Sequence, residues 1–149
     1  MAKLASDAER LSQRILQGIP LANAMNFSIR RLDQHSIQVV APLEDNVNVH
    51  GTGFAGSLYS TATLAAWGFT TYILEQAGIN ADVVMAKAEI RYKRPVHSDI
   101  ICNCECAPET SAVFLKQLNS RGRARLSLLV DIGEDSEAVL SATIVAIIK

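Results

Sequence analysis

The chain has 149 residues, 49% of them apolar and 19% charged, with 14 Lys and Arg against 15 Asp and Glu. Length predicts one domain spanning 1–149 with ample core-forming content, and a formal net charge of −1 excludes an overall basic footprint for nucleic acid. So low a charged fraction in a short chain implies that a second subunit covers some apolar surface, and with no basic-plus-apolar leader, export is not expected.

Ser6-Asp7-Ala8-Glu9 is a capping box, and Leu4, Ala8, Leu11 and Ile15 recur at helical spacing. Gly18 and Pro20 stop that helix, so residues 1–19 read as an N-terminal helical extension. A short turn over 20–25 follows. Strands are predicted over 27–32 and 36–42, joined through Asp33-Gln34-His35 in hairpin fashion.

The chain then runs 29 residues, 46–74, without one Asp, Glu, Lys or Arg. A glycine-rich loop around Asn48-Val49-His50-Gly51 leads into a helix over 58–74, which Gly78 and Asn80 close. A helix with no charged face must be wrapped by protein or lipid. Lipid is a poor match: Ser57, Tyr59, Ser60, Thr61, Thr63, Thr70, Thr71 and Tyr72 carry hydroxyls, and no Lys or Arg flanks either end.

Over 81–96, Lys87, Glu89, Arg91 and Lys93 alternate with Ala86, Ala88, Ile90 and Tyr92, a strand that Pro95 ends. In the next strand, 100–107, alternation puts Cys102, Cys104 and Cys106 on one face. Zinc sites need a second ligand pair, which the sequence lacks, and three is an odd number for a disulfide framework. Reduced, buried thiols in a cytoplasmic protein are expected. Residues 108–119 lean helical, and 122–132 and 138–148 are the last strands, turned by Gly133-Glu134-Asp135-Ser136. One long uncharged helix with strands on both sides of it predicts an α+β fold, an antiparallel sheet wrapped around that helix.

Asn48, Gly51 and Phe54-Ala55-Gly56-Ser57, with the strand ending Arg91-Tyr92-Lys93-Arg94-Pro95, resemble the hotdog-fold thioesterases over roughly residues 20–148. Gly51-Thr52-Gly53-Phe54-Ala55-Gly56-Ser57 and Ala66-Trp67-Gly68 look like a branch sometimes fused behind an acetyltransferase domain. The chain has no acetyltransferase pyrophosphate loop. The better-known relatives carry His-Gly-Gly at the helix start and an Asp nine residues later. Aligned through the Asn, Phe54 and Thr63 stand at those positions, and the usual carboxylate is missing.

The resemblance implies an acyl-thioester hydrolase acting on coenzyme A or carrier-protein thioesters. Coenzyme A or phosphopantetheine would enter as part of the substrate, with no separate cofactor and no metal. Helix-start amides lack intrahelical partners and sit at the positive end of the dipole, so Ala55, Gly56 and Ser57 would polarise the carbonyl, Ser57 also contacting substrate. The alternative for these residues is an ordinary helix start that needs small residues beneath the sheet.

Asn48 would hold water or the acyl carbonyl, or simply make an Asx turn. Thr63 would place water, and His50 is the one ready general base nearby, or a solvated loop histidine. Ser57 lacks a nucleophile elbow. Lys93 and Arg94, with Arg91 and the series Arg121, Arg123 and Arg125, would meet substrate phosphates or else form solvated strand faces. A non-catalytic acyl-thioester binding or regulatory module is the competing reading, and a dehydratase on the same fold is the weakest. The family's habit of joining sheets edge to edge implies a homodimer, or a dimer of dimers, while the charge balance and the hydroxyl-rich helix predict no nucleic-acid or membrane partner.

Overall fold

The computed structural model describes residues 6–149, which leaves Leu4 outside the described residues. Helix α1 (Asp7–Gly18) begins at Ser6, whose side chain accepts the Glu9 amide at 3.1 Å. Pro20 opens the short α2 (Pro20–Ala24), a position where its missing N–H is no loss. Then come β1 (Ser28–Leu32), β2 (Ser36–Ala41), α3 (Ala55–Gln76), β3 (Ala81–Tyr92), β4 (Ile100–Glu105), α4 (Pro108–Arg121), β5 (Arg123–Ile132) and β6 (Ala138–Ile148). The strands form a six-stranded antiparallel sheet in the order β1-β2-β4-β5-β6-β3. The expected α+β hotdog architecture, a sheet around one long helix, is what the chain adopts.

The core lies between the sheet and α3. On β5, Ala124, Leu126, Leu128, Val130 and Ile132 are buried, while Arg123, Arg125, Ser127, Leu129 and Asp131 are exposed, the period-2 pattern of a sheet with one face packed. Against them α3 buries Leu58, Ala62, Ala65, Ala66 and Phe69. Helix α1 crosses α3 at Gly68, where a Cβ would stand 3.4 Å from the Ile15 side chain. No helix among the described residues is long and apolar enough to cross a membrane.

Local chemistry sets the boundaries. Gly78 takes φ +69, so the Ile79 amide reaches the Leu74 carbonyl at 3.0 Å and the Gly78 amide reaches Glu75 at 3.1 Å. This Schellman closure ends α3. Gly122, at φ +72, ends α4 in the same left-handed conformation.

Two expectations need correction. The register on β6 passes from Met85↔Ile144 to Lys87↔Thr143, so a bulge at Ala86 breaks the strand's alternation. Val83 and Met85 face the core before it, Ala88 and Ile90 after it, and Ala86 is exposed. Arg121 ends α4 and does not lie on the strand, so only Arg123 and Arg125 share that outer face.

Candidate active site at the start of the central helix

Residues 47–53 fold back on themselves. Val47 bridges Gly53, and the Asn48 amide reaches the Thr52 carbonyl at 2.8 Å. The Asn48 side chain works within this loop. Its Oδ1 accepts the His50 and Thr52 amides at 2.9 and 3.1 Å, and its Nδ2 donates to Thr52 Oγ1 at 2.9 Å. This is an Asx turn. His50 is exposed at the loop tip, where Gly51 turns the chain with φ +80.

The loop is fixed from below by Asn46, which the sequence reading passed over. Buried Asn46 donates through Nδ2 to the carbonyls of Met25 and Pro42 at 2.9 and 2.7 Å, and its carbonyl accepts the Phe54 amide at 2.8 Å. Gly53 lies against Val96 and Leu58, where a Cβ would stand 3.3 and 3.2 Å from their side chains. Its amide donates to the Val96 carbonyl at 2.8 Å.

Phe54 is the N-cap of α3 and makes no side-chain cap hydrogen bond. Of the three amides expected to be open, Ser57 N–H is taken by the Phe54 carbonyl at 2.9 Å. The amides of Ala55 and Gly56 have no partner among the described residues. Two donors therefore point out of the positive end of a 22-residue helix. The Phe54 ring, 52% exposed, folds back over Gly56.

Tyr92 completes the surround. Its hydroxyl donates to the Ala55 carbonyl at 2.9 Å, tying the end of β3 to the first turn of α3. Burial first, and then neighbouring Tyr59, raises its phenol above the ordinary value. The sequence contained a signal for Tyr92, the aromatic in the strand that closes on Pro95, but nothing local indicated what the hydroxyl would meet.

Thr63 is half-buried, two turns along α3, with its hydroxyl donating to the Ser60 carbonyl at 2.9 Å. Lys93 and Arg94 are exposed just beyond β3, and the Arg94 guanidinium donates to the Asp135 carbonyl at 2.5 Å. The structure thus groups Ala55, Gly56 and Ser57 at one helix start and places Asn48 and His50 in the loop before it. Lys93 and Arg94 follow the strand tied to it. Cys102, Cys104 and Cys106 are buried in or just beyond β4. Burial and neighbouring Cys106 push the Cys104 thiol up to about 12, so it is no nucleophile at neutral pH.

The family described as "Putative thioesterase (yiiD_Cterm)" matches residues 8–143. The chain belongs to this family. A protein of unknown function from Chlorobaculum tepidum is 25% identical over 95% of this chain and 94% of its own, with a TM-score of 0.91. A structure named "putative thioesterase from Shewanella oneidensis" is 29% identical over 94% and 96%, with a TM-score of 0.84. A Haemophilus influenzae thioesterase, 16% identical over 98% and 94% with a TM-score of 0.72, shares the fold. Family membership gives the chain a thioesterase-type function.

Proposed function

We propose that the chain, read as a single hotdog domain over 1–149, hydrolyses acyl thioesters of coenzyme A or of a carrier protein's phosphopantetheine arm. The carrying observation is the pair of unpartnered amides, Ala55 and Gly56, at the start of α3. In the reaction a water oxygen bonds to the carbonyl carbon and the carbonyl oxygen becomes an oxyanion facing those two N–H groups. The C–S bond then breaks, the thiolate takes up one of the water's two protons, and the acyl group leaves as a carboxylate with the other proton released to solvent. A donor so placed is worth about 3–4 kcal/mol in the transition state.

Thr63 stands two turns from the amides of its own chain, so its role is to orient the water at the partner's helix start across the inferred dimer, and His50 brings the imidazole of the adjoining loop. Asn48 acts by holding that loop, since its amide is engaged there. Ser57 contributes a small side chain beneath the thioester. Lys93, with no ion pair among the described residues, and Arg94 are suited to the substrate's phosphates. No separate cofactor is required.

The assembly we infer is a homodimer joined along β3. That strand is a sheet edge 12 residues long with Val84 half exposed, and an open edge is a template for pairing. Buried reduced thiols suit a reducing compartment such as the cytoplasm.

One observation favours the second reading, a non-catalytic acyl-thioester binding module: residues 46–74 contain no Asp or Glu. Thiol release from a panel of acyl-coenzyme A and acyl-carrier substrates separates the two. Saturable binding without release supports the binding module, and neither binding nor release sinks both.

A further inference from the structure

Helix α3 and edge strand β3 run in opposite directions and are tied at two points. One tie is Tyr92 to the Ala55 carbonyl. The other is the Trp67 indole N–H, which donates to the Val83 carbonyl at 2.9 Å. Between these ties α3 leaves Ser60, Thr63 and Leu64 half-buried, and β3 leaves Met85, Ala88 and Ile90 half-buried. The two rows form a half-buried, largely apolar seam, packed against the core, on the side of α3 that begins at the free amides of Ala55 and Gly56. It ends abruptly. After Trp67, every residue from Gly68 to Leu74 is buried. From Gly56 to Trp67 the seam spans about 16 Å of helix axis at the α-helical rise.

Behind the indole lies a cleft of about 430 Å³, walled by Trp67, Leu74, Ile79 and Ile147. Its rim carries the ion pairs Arg14–Glu75 and Lys149–Asp82, and Thr71 also lines it. Thr71 is 4% exposed and its hydroxyl has no partner among the described residues, whereas Thr61 and Thr70 bond the carbonyls one turn back. Trp67 therefore separates an apolar seam from a cleft with polar groups at its floor and rim.

We propose that Trp67 sets the length of acyl chain this site accepts. The inference rests on the thioester reading above: with the carbonyl at Ala55 and Gly56, the alkyl chain lies along the seam and its terminal methyl stops at the indole. The ring cannot turn aside without breaking its bond to Val83, and that makes it a fixed stop. A chain one methylene too long for a closed apolar site loses about tenfold or more in kcat/KM.

Trp67 is the sole tryptophan of the sequence, so its fluorescence reports on this one position. The experiment titrates the intact protein with non-hydrolysable thioether analogues of acyl-coenzyme A, from acetyl to palmitoyl, and measures kcat/KM for the matching thioesters. Short analogues should bind without moving the tryptophan emission. Beyond a threshold length the emission should shift, and kcat/KM should fall by about tenfold at that same length. Trp67→Ala should move the fall to longer chains by joining seam and cleft, and Leu64→Phe should move it to shorter ones. Leu64→Phe alters a half-exposed position and keeps the test open if Trp67→Ala does not fold. Binding with an emission response independent of chain length, or a length profile unchanged in folded variants, overturns the proposal. Failure of every analogue to bind and every thioester to turn over overturns the thioester reading itself, and this inference with it.

Discussion

A Cβ on Gly56 would stand 2.5 Å from Cε2 of Phe54, so the aromatic ring occupies the space that any side chain at position 56 would need. Because that ring is half exposed, it can swing outward, and the fold should survive the change. Gly56→Val should remain folded by circular dichroism and lose at least about a hundredfold in kcat/KM, the scale of one lost oxyanion donor. Phe54→Ala in the same chain should restore part of the loss. Unchanged activity in Gly56→Val would move the site elsewhere.

Tyr92→Phe removes the hydroxyl that holds the first turn of α3 to β3. With Tyr92 48% exposed, the cost in stability should be about 1 kcal/mol or less, a fall of about 2–4 °C in Tm at this size. Activity should fall more, by about tenfold to a hundredfold, because the donors it positions would shift. A Tm loss with kcat/KM intact would make Tyr92 a purely structural tie.

Thr63→Asp is the sharpest test of the missing carboxylate. Thr63 is half-buried on α3 with its hydroxyl donating to the Ser60 carbonyl, and in the inferred dimer an acid placed there would face the thioester across the subunit boundary. General-base catalysis contributes typically about 10²–10⁴-fold, and regaining part of it should raise hydrolysis of short acyl thioesters above the parent. Thr63→Ala should lower it only modestly. A folded Thr63→Asp protein with unchanged rates would point the chemistry back to the loop of Asn48 and His50.

Burial, with a neighbouring cysteine as the second cause, raises Cys102 and Cys104 above the ordinary thiol value of 9.0. Below that value folded and unfolded thiols are both protonated, and the contribution to stability is fully present. As pH rises, the unfolded thiols ionise first and draw the equilibrium toward unfolding, so stability should fall between about pH 9 and about pH 12. Thermal melts against pH should show this decline. At pH 8 a thiol reagent should label the native protein far more slowly than the denatured one. Rapid labelling of all three cysteines in the native state would contradict their burial.

Sedimentation at micromolar concentration should give twice the 16.1 kDa chain mass or more. A folded monomer alone would leave the β3 edge unexplained and the seam open to water.

Most of the architecture was legible because it rests on local chemistry. The Ser6 cap, the alternation of β5, the Gly78 stop and the charge-free stretch each declare themselves within a few residues. What escaped was decided between distant segments. For Asn48 the sequence leaves two roles open, a substrate contact or an Asx turn, and only the closure of its side chain on Thr52 and His50 decides for the turn. Asn46 carries no local signal, because one of the carbonyls that accepts from its side chain, that of Met25, lies 21 residues away. The bulge at Ala86 was hidden because Ala on either face of a strand leaves the pattern unbroken to the eye. Tyr92 and Trp67 act through carbonyls 37 and 16 residues away, separations that no periodicity records.

Ser12 on α1 accepts the Ile29 amide at 3.1 Å, beside the register shift that interrupts β1. What the sequence presents as a helical extension is therefore also a guard on one flank of the sheet. With β1 shielded in this way, the chain has a polarity: one flank closed by its own N-terminal helix, the other, β3, bare. Trimming the chain to residue 20 would remove that asymmetry, expose a second strand flank and the hollow above Gly68, and turn a molecule that pairs in one direction into one able to chain in two.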